Sequence, residues 1–279
     1  MKRAPVNKII PFSNVDGPGN RTSIFFQGCP FNCLFCHNPE TIHLCVGCGA
    51  CVAACPAGAL TMGEGRAVWD SAACVQCDTC LKVCPNGASP KVRDMTVEEV
   101  LREVKRSAPY IDGVTTSGGE CTLYMDFLID LFTGVKALGK TCLIDSNGSF
   151  DFQADPRVLA VCDGVMLDVK AVEPAWSRTL IDRGPELVLK NLHYLLEAGR
   201  LQEVRTVIFP GLDAENEETV RHVARVIGDA CDYKIIRYRP YGVREVYRAR
   251  LGEFETDADY AEGFAALARE LGAGKAYVV

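Results

Sequence analysis

Cysteine is the residue type through which this chain could do most of its chemistry. The 279 residues include 15 cysteines, and eleven of these lie between residues 29 and 84. The first residues contain no long apolar run of the kind that a signal peptide needs, so we expect a cytoplasmic protein. In a reducing compartment, a cysteine-rich chain of this length is expected to bind metal rather than to form disulfides.

Eight of the cysteines form two runs with the same spacing, C-x2-C-x2-C-x3-C, and each run is followed by proline. Thiolates select iron–sulfur clusters or zinc. This spacing is the signature of the bacterial two-cluster ferredoxins, in which the fourth cysteine of each run binds the other cluster. A pair of zinc sites is the alternative, which the tight spacing and the proline disfavour. The predicted ligands are Cys45, Cys48, Cys51 and Cys84 for one electron-carrying [4Fe-4S] cluster, and Cys74, Cys77, Cys80 and Cys55 for the other.

A third group has only three cysteines, Cys29, Cys33 and Cys36, with the spacing Cx3Cx2C. Three thiolates on a four-iron cluster leave one iron without a protein ligand. An open coordination position is where a substrate or cofactor can bind. The alternative is a loop of packing cysteines, and the neighbouring cluster signature argues against it.

Strands and helices are predicted to alternate outside the cysteine-rich segment. Residues 21–27 have the β-branched and aromatic character of a strand, and residues 96–107 have the cap and charge pattern of a helix. Six such strands imply a parallel sheet with right-handed crossovers. The polar motifs follow the C-terminal ends of strands, which share one mouth in a barrel. We therefore predict an α/β fold, a partial (β/α)6 TIM-like barrel, with a flat doubly wound sheet as the alternative.

The gradient of cysteine density suggests two domains. Residues 44–91 are predicted to form an inserted α+β domain of the bacterial ferredoxin type, and residues 1–43 and 92–279 are predicted to form the barrel. A net charge of −6 argues against nucleic acid as a partner. No stretch of about 18 apolar residues is present, so no membrane span is expected.

Two motifs resemble the radical S-adenosylmethionine (SAM) enzymes. The Cx3Cx2C run directly follows the first predicted parallel strand and has an aromatic residue, Phe35, before its last cysteine. Ser117-Gly118-Gly119-Glu120, after the next strand, is similar to the GGE element of that superfamily. Glycines allow close backbone approach to a ligand, and a carboxylate can accept hydrogen bonds from an ammonium group. The resemblance implies that SAM binds the open iron.

Further motifs resemble one group within that superfamily, the activating enzymes of glycyl radical enzymes. The first are Asp16-Gly17-Pro18-Gly19, Gln27-Gly28-Cys29 and His37-Asn38-Pro39. Asp145-Ser146-Asn147-Gly148 is similar to the family's DTNG motif, Met166–Lys170 to its MLDLK motif, and Arg205 to the arginine of its Arg…Pro-Gly strand. The resemblance covers nearly the whole chain. Among the activases that carry a cluster insert, the chain looks most like the YjjW group.

The resemblance implies a set of site residues. Cys29, Cys33 and Cys36 would be catalytic, and SAM would be bound by Phe35, Cys36, His37, Gly118, Gly119, Glu120, Ser146, Asp168, Val169, Lys170 and Arg205. A monovalent cation near SAM would be bound by Asp145, Ser146, Met166 and Asp168. The partner's glycine loop would contact Asp16, Gly17, Pro18 and Gly19. One departure is Arg239, which stands near the place of a histidine that the family often has.

The implied reaction begins with an electron donor such as flavodoxin or ferredoxin, which would reduce the insert clusters. These would pass one electron to the open cluster, and SAM would be cleaved to methionine and a 5′-deoxyadenosyl radical. The radical would remove a hydrogen atom from a glycine Cα of a partner glycyl radical enzyme. The alternatives are a radical SAM enzyme that acts on a small molecule or an RNA base, and a non-catalytic electron carrier.

Overall fold

A computed structural model describes residues 2–279, so Met1 of the predicted segment 1–43 lies outside it. The chain divides into two compact units. The first contains residues 2–30 and 38–142, and the second contains residues 31–37 and 143–279. The chain passes from the first unit to the second within one strand, at residues 142 and 143. The predicted insert lies wholly within the first unit, and its status as a separate domain stays a prediction.

The first unit contains six strands, which form two sheets. Strands β1, β2, β5 and β6 have the order β5-β1-β2-β6, with β1 antiparallel to both neighbours and β2 parallel to β6. The insert contributes an antiparallel pair of its own, β3 and β4. The strands are β1 (Arg3–Ser13), β2 (Arg21–Phe26), β3 (Leu60–Gly63), β4 (Arg66–Trp69), β5 (Arg93–Thr96) and β6 (Gly113–Gly118).

Four helices belong to the first unit. Two one-turn helices, α1 (Ala50–Ala53) and α2 (Thr79–Lys82), each contain a cysteine of an insert run. Two longer helices, α3 (Val97–Ser107) and α4 (Met125–Lys136), flank β6 in the chain. Thr96 begins α3 with the predicted capping box, because its hydroxyl accepts from the Glu99 N–H and the Glu99 carboxylate accepts from the Thr96 N–H.

In the second unit five parallel strands lie in chain order, β7-β8-β9-β10-β11. A doubly wound sheet reverses its strand order at a switch point, and no such reversal occurs here, so the strand order favours a barrel. The strands are β7 (Thr141–Ser146), β8 (Gly164–Asp168), β9 (Leu201–Ile208), β10 (Asp232–Arg237) and β11 (Ala276–Val278); the helices are α5 (Pro174–Ile181), α6 (Glu186–Glu197), α7 (Asp213–Ile227), α8 (Glu245–Leu251) and α9 (Ala258–Glu270).

These elements confirm the predicted α/β class, and the long predicted helices and parallel strands occur within a few residues of their expected ends. Strands β1 and β5 and helices α5 and α8 were not expected from the sequence. Among residues 2–279, no helix combines the length and the apolar character needed to cross a bilayer.

Candidate functional site

The loop that carries Cys33 and Cys36 is held firmly inside the second unit. The backbone N–H of Leu34 donates to the carbonyl of Leu180, 2.9 Å away, at the end of α5. The ring of Phe35 packs edge-on against Phe209, with 5.2 Å between ring centroids. Leu34 and Phe35 are both buried. The loop is therefore anchored at its backbone and by an aromatic side chain.

A segment after β10 also holds this loop. Nη2 of Arg244 donates to Oδ1 of Asn32 at 2.6 Å and to the carbonyl of Cys33 at 3.3 Å. Nε2 of His37 lies 3.0 Å from the carbonyl of Arg239. Arg239, which stands near the place of the family's histidine, thus contacts the cysteine loop through its backbone carbonyl.

Burial raises the pKa of the Cys33 thiol to about 12, and the ammonium of Lys170 opposes this shift. Cys36 and Asp168 are close enough to raise the pKa of Cys33 further. A buried thiol of this kind becomes a thiolate when it binds a metal. The second unit therefore brings two cysteines of the Cx3Cx2C run together with Asp168 and Lys170. Cys29 belongs to the first unit, where its N–H donates to the carbonyl of Ile42 at 2.9 Å.

Lys170 is a buried cation with two partners. Its ammonium forms a short ion pair with Asp168 and lies 5.8 Å from the centroid of the Phe35 ring. Burial alone would lower the pKa of Lys170, and Asp168, Cys33 and Asp145 together outweigh this effect, so the pKa is raised and the side chain stays charged. The site can therefore offer a fixed positive charge to an anionic ligand group.

Arg205 contacts two of the residues that the resemblance assigns to a cation. Its Nη1 lies 3.1 Å from Oδ1 of Asp145, and its Nη2 lies 3.2 Å from the sulfur of Met166. The cation site stays a prediction. In the described structure the guanidinium of Arg205 supplies the positive charge beside Asp145.

Glu203 and Lys234 complete this network, and neither was predicted. The buried carboxylate of Glu203 pairs with Nε of Arg205 through one oxygen and with Nζ of Lys234 through the other, at 2.7 Å. Residues two apart on a strand share a face, so the spacing of Glu203 and Arg205 on β9 was the available signal. Two other residues of the predicted SAM site, Ser146 and Val169, are held by hydrogen bonds. Oγ of Ser146 accepts from the Gly148 N–H at 3.1 Å, and the Val169 N–H donates to the carbonyl of Arg205 at 2.9 Å.

In the first unit, the GGE element is bonded to the end of β2. The Gly119 N–H donates to the carbonyl of Phe26 at 2.8 Å, and the Glu120 N–H donates to that of Gly28 at 2.7 Å. Gly118 has φ +122°, and an added Cβ there would lie 2.1 Å from the backbone nitrogen of Phe26. Only glycine fits this position. The buried Glu120 carboxylate accepts from the N–H and hydroxyl of Thr122, at 3.1 and 2.6 Å.

The Asp16–Gly19 segment is fixed by buried polar groups. Oδ2 of Asp16 accepts from the hydroxyls of Ser13 and Ser23, each at 2.6 Å. The side chain of Arg21 is 2% exposed and donates to the carbonyl of Pro18 at 3.3 Å and to Oγ1 of Thr115 at 2.8 Å. An added Cβ at Gly19 would lie 2.4 Å from the Asp112 carboxylate. These hydrogen bonds therefore hold the segment in place within the first unit.

The insert gathers its cysteines into two sets. One cleft is lined by Cys55, Cys74, Cys77 and Cys80 together with Trp69 and Lys91. Burial raises the pKa of Cys51, and Cys45, Cys84 and Cys48 add to that rise, so these four thiols lie near one another. In each set, the fourth cysteine of one run joins the first three of the other run.

The donor groups around the first of these sets suit sulfur ligands of a cluster. The buried indole N–H of Trp69 has no hydrogen-bond partner within usual geometric limits among the described residues. This indole N–H acts on the thiol of Cys74, whose pKa it lowers. A thiolate is a stronger acceptor than a thiol, so a buried donor without a partner fits a cysteine that binds iron.

Known proteins resemble this chain over most of its length. The family model of the radical SAM superfamily matches residues 23–227. The choline trimethylamine-lyase activating enzyme of Oleidesulfovibrio alaskensis is 32% identical, over 84% of this chain and 81% of that protein. The benzylsuccinate synthase activating enzyme of Thauera aromatica is 31% identical, over 97% and 90%. A crystal structure of a domain of the pyruvate formate-lyase-activating enzyme of Bacteroides vulgatus covers 60% of this chain and 98% of that domain, with 20% identity and a TM-score of 0.50.

The network around Arg205 generates a prediction. Replacing Glu203 with glutamine keeps the side-chain shape but removes the charge that holds Arg205 and Lys234 together. We expect SAM affinity to fall about tenfold, which corresponds to about 1.4 kcal/mol. Equilibrium dialysis with labelled SAM measures this. The control is Glu217→Gln, which removes an exposed ion pair to Arg221 and should leave affinity unchanged. Unchanged or tighter binding in Glu203→Gln would contradict a positioning role.

Proposed function

Because the chain belongs to the radical SAM superfamily, and within it to the glycyl-radical-enzyme activating enzymes, we propose that Cys29, Cys33 and Cys36 bind a [4Fe-4S] cluster whose open iron binds SAM. The observation that carries this proposal is the buried Cys33 beside Cys36, Lys170 and Asp168. Soft thiols next to a fixed cation suit a cluster that must also accept a cofactor with a carboxylate group.

When bound and reduced by one electron, the cluster and SAM supply methionine and a 5′-deoxyadenosyl radical, which takes a hydrogen atom from a glycine Cα of the partner enzyme. The protein's own residues bind, orient and exclude water. Lys170 and Arg205 would carry the positive charges for the SAM carboxylate, and the Gly118-Gly119 backbone, fixed against Phe26 and Gly28, is the proposed contact of its amino-acid end. The remaining proposed SAM contacts are Phe35, His37, Glu120, Ser146, Asp168 and Val169, with Asp145, Met166 and Asp168 near a monovalent cation.

Residues 44–91 would form a ferredoxin-like domain with two further [4Fe-4S] clusters, inserted into a barrel of residues 1–43 and 92–279. The two cysteine sets and the Trp69 donor support this proposal. Clusters with four protein ligands have no open iron, so their role would be to carry electrons from a flavodoxin or ferredoxin. The resemblance to the YjjW group points the same way.

The partner would be a glycyl radical enzyme whose glycine loop contacts the Asp16–Gly19 segment. We place this reaction in the cytoplasm, where thiols stay reduced. The net charge of −6 gives no reason to expect nucleic acid as the substrate. The decisive experiment mixes the reduced protein and SAM with a candidate partner and looks for a glycyl radical doublet by electron paramagnetic resonance.

The first prediction concerns the open cluster. Cys36→Ala removes one of its three thiolates, and we expect SAM cleavage to be lost while the insert clusters remain. Chromatography of 5′-deoxyadenosine and iron analysis measure the two effects, with one third of the iron expected to be missing. The matched control is Cys231→Ala, which alters a buried cysteine outside the three runs. Full SAM-cleavage activity of Cys36→Ala would contradict the assignment of Cys36 as a ligand of the open cluster.

A second prediction concerns Arg21. Its guanidinium donates from a planar fork to Thr115, Pro18 and Val114, a geometry that the compact ammonium of lysine cannot reproduce. We expect Arg21→Lys to raise the KM for the partner enzyme about tenfold and to leave SAM cleavage without a partner unchanged. The control is Arg3→Lys, an exposed position that pairs with Asp94. An unchanged KM, or an equal loss in both assays, would contradict a role in ordering the docking segment.

A third prediction separates electron transfer from docking. Cys48→Ser and Cys77→Ser each remove one ligand of an insert cluster, at two exposed cysteines. We expect slow activation with a protein electron donor and near-normal activation with a small chemical reductant. Both rates are followed by the growth of the glycyl radical signal. Equal loss with both reductants would mean that the insert has a structural or docking role instead.

A further inference from the structure

The two insert cysteine sets have the same spacing but different surroundings. Around Cys45, Cys48, Cys51 and Cys84, the hydrogen bonds to sulfur come from the backbone: Ala67 N–H lies 3.5 Å from Cys45 Sγ, and Ala88 N–H lies 3.3 Å from Cys84 Sγ. After burial, the neighbouring thiols and a backbone hydrogen bond are the groups that act most on Cys51. This set, which we name the backbone set, therefore lies among neutral backbone donors.

The other set contains Cys55, Cys74, Cys77 and Cys80, and a cation lines the same cleft. We name it the Lys91 set. Nζ of Lys91 is held by Oδ1 of Asp78 at 2.6 Å and by Oε1 of Gln76 at 3.0 Å. Lys91 lines one cleft with all four of these thiols.

Asp78 does not cancel this charge. The side chain of Lys91 is 15% exposed, whereas that of Asp78 is 54% exposed. Water and salt screen an exposed charge more than a covered one. The cleft therefore keeps a net positive influence.

Two side-chain donors add to the cation. The indole N–H of Trp69 is buried beside Cys74, as described above. The hydroxyl of Thr79 lies 3.4 Å from the sulfur of Cys77. Hydrogen bonds to cluster sulfurs and nearby positive charge both stabilise the reduced cluster, which carries one more negative charge, so both raise its reduction potential.

We propose that Lys91, with Trp69 and Thr79, makes the cluster of the Lys91 set the higher-potential member of the insert pair, so that the first electron entering the insert resides there. The inference rests on the proposed function, because it requires two clusters in the insert. One electron leaves a one-electron donor protein and reduces one cluster. That electron later passes to the open cluster, which uses one for each SAM cleaved.

The test is a redox titration of the full-length Cys36→Ala protein, in which only the insert clusters remain, followed by electron paramagnetic resonance. Adding Lys91→Gln should lower the reduction potential of the first step and leave that of the second step unchanged. We expect the equilibrium constant for the first step to fall about tenfold, a shift of about 59 mV for one electron. The control is Lys82→Gln, which removes the same charge from an exposed position on α2 and should shift neither step.

Two further variants keep the test decisive if Lys91→Gln binds less iron. Lys91→Arg retains the charge and should keep the first potential near that of the parent protein. Trp69→Phe should lower the first step by less than Lys91→Gln does. No shift in Lys91→Gln, or a shift only in the second step, would overturn the inference. If an insert cluster is absent, the iron analysis of the parent protein shows this before any titration. That result would contradict the proposed cluster content, which is separate from the order of reduction.

Discussion

Charge buried at the end of strand β8 and within strand β9 is the constraint on which the second unit depends. Asp168, Lys170, Glu203 and Arg205 are all largely covered, and an isolated ion in such a place would cost several kcal/mol. Each therefore needs an opposite charge within contact distance. The resulting pairs fix the side chains in one arrangement, with two cations held in place by carboxylates. A site that binds the carboxylate of a cofactor needs this kind of preorganisation, because its cations must not be free to turn away.

The same principle operates with backbone groups in the first unit. Gly118 brings its backbone so close to Phe26 that no side chain could be present. Arg21 is buried among carbonyl and hydroxyl oxygens that lie on three separate stretches of chain. Close backbone contact and a fully bonded arginine make two loops rigid, the GGE element and the Asp16–Gly19 segment. Rigid loops lose little entropy on binding, so their contacts contribute more to affinity and orientation.

The fold could be predicted where local signals agree. Helix α3 has its threonine cap, acidic start and basic end in sequence, and the structure has all three. Strand β1 was missed because it contains two prolines, Pro5 and Pro11, and a proline normally argues against a central strand. Pro11 falls in the irregular pairing between Ile10 and Ser13, where its missing N–H is tolerated. The cysteine runs were predictable because cluster ligands need fixed spacing. The partners of Arg205 were not, because Lys234 reaches Glu203 from the neighbouring strand.

Cluster ligands and cluster properties are therefore encoded at different levels. The two insert runs are identical in cysteine spacing, so the proposed ligands and their pairing follow from sequence alone. The surroundings of Cys74 depend on Trp69 in β4 and on Lys91 beyond the second run, residues that no spacing rule would connect to it. Under the proposed function, the duplicated motif would supply two clusters of one type, and unequal neighbours would give them unequal affinity for an electron. Two clusters with unequal reduction potentials would accept the first electron in a fixed order, which two equivalent clusters would not do.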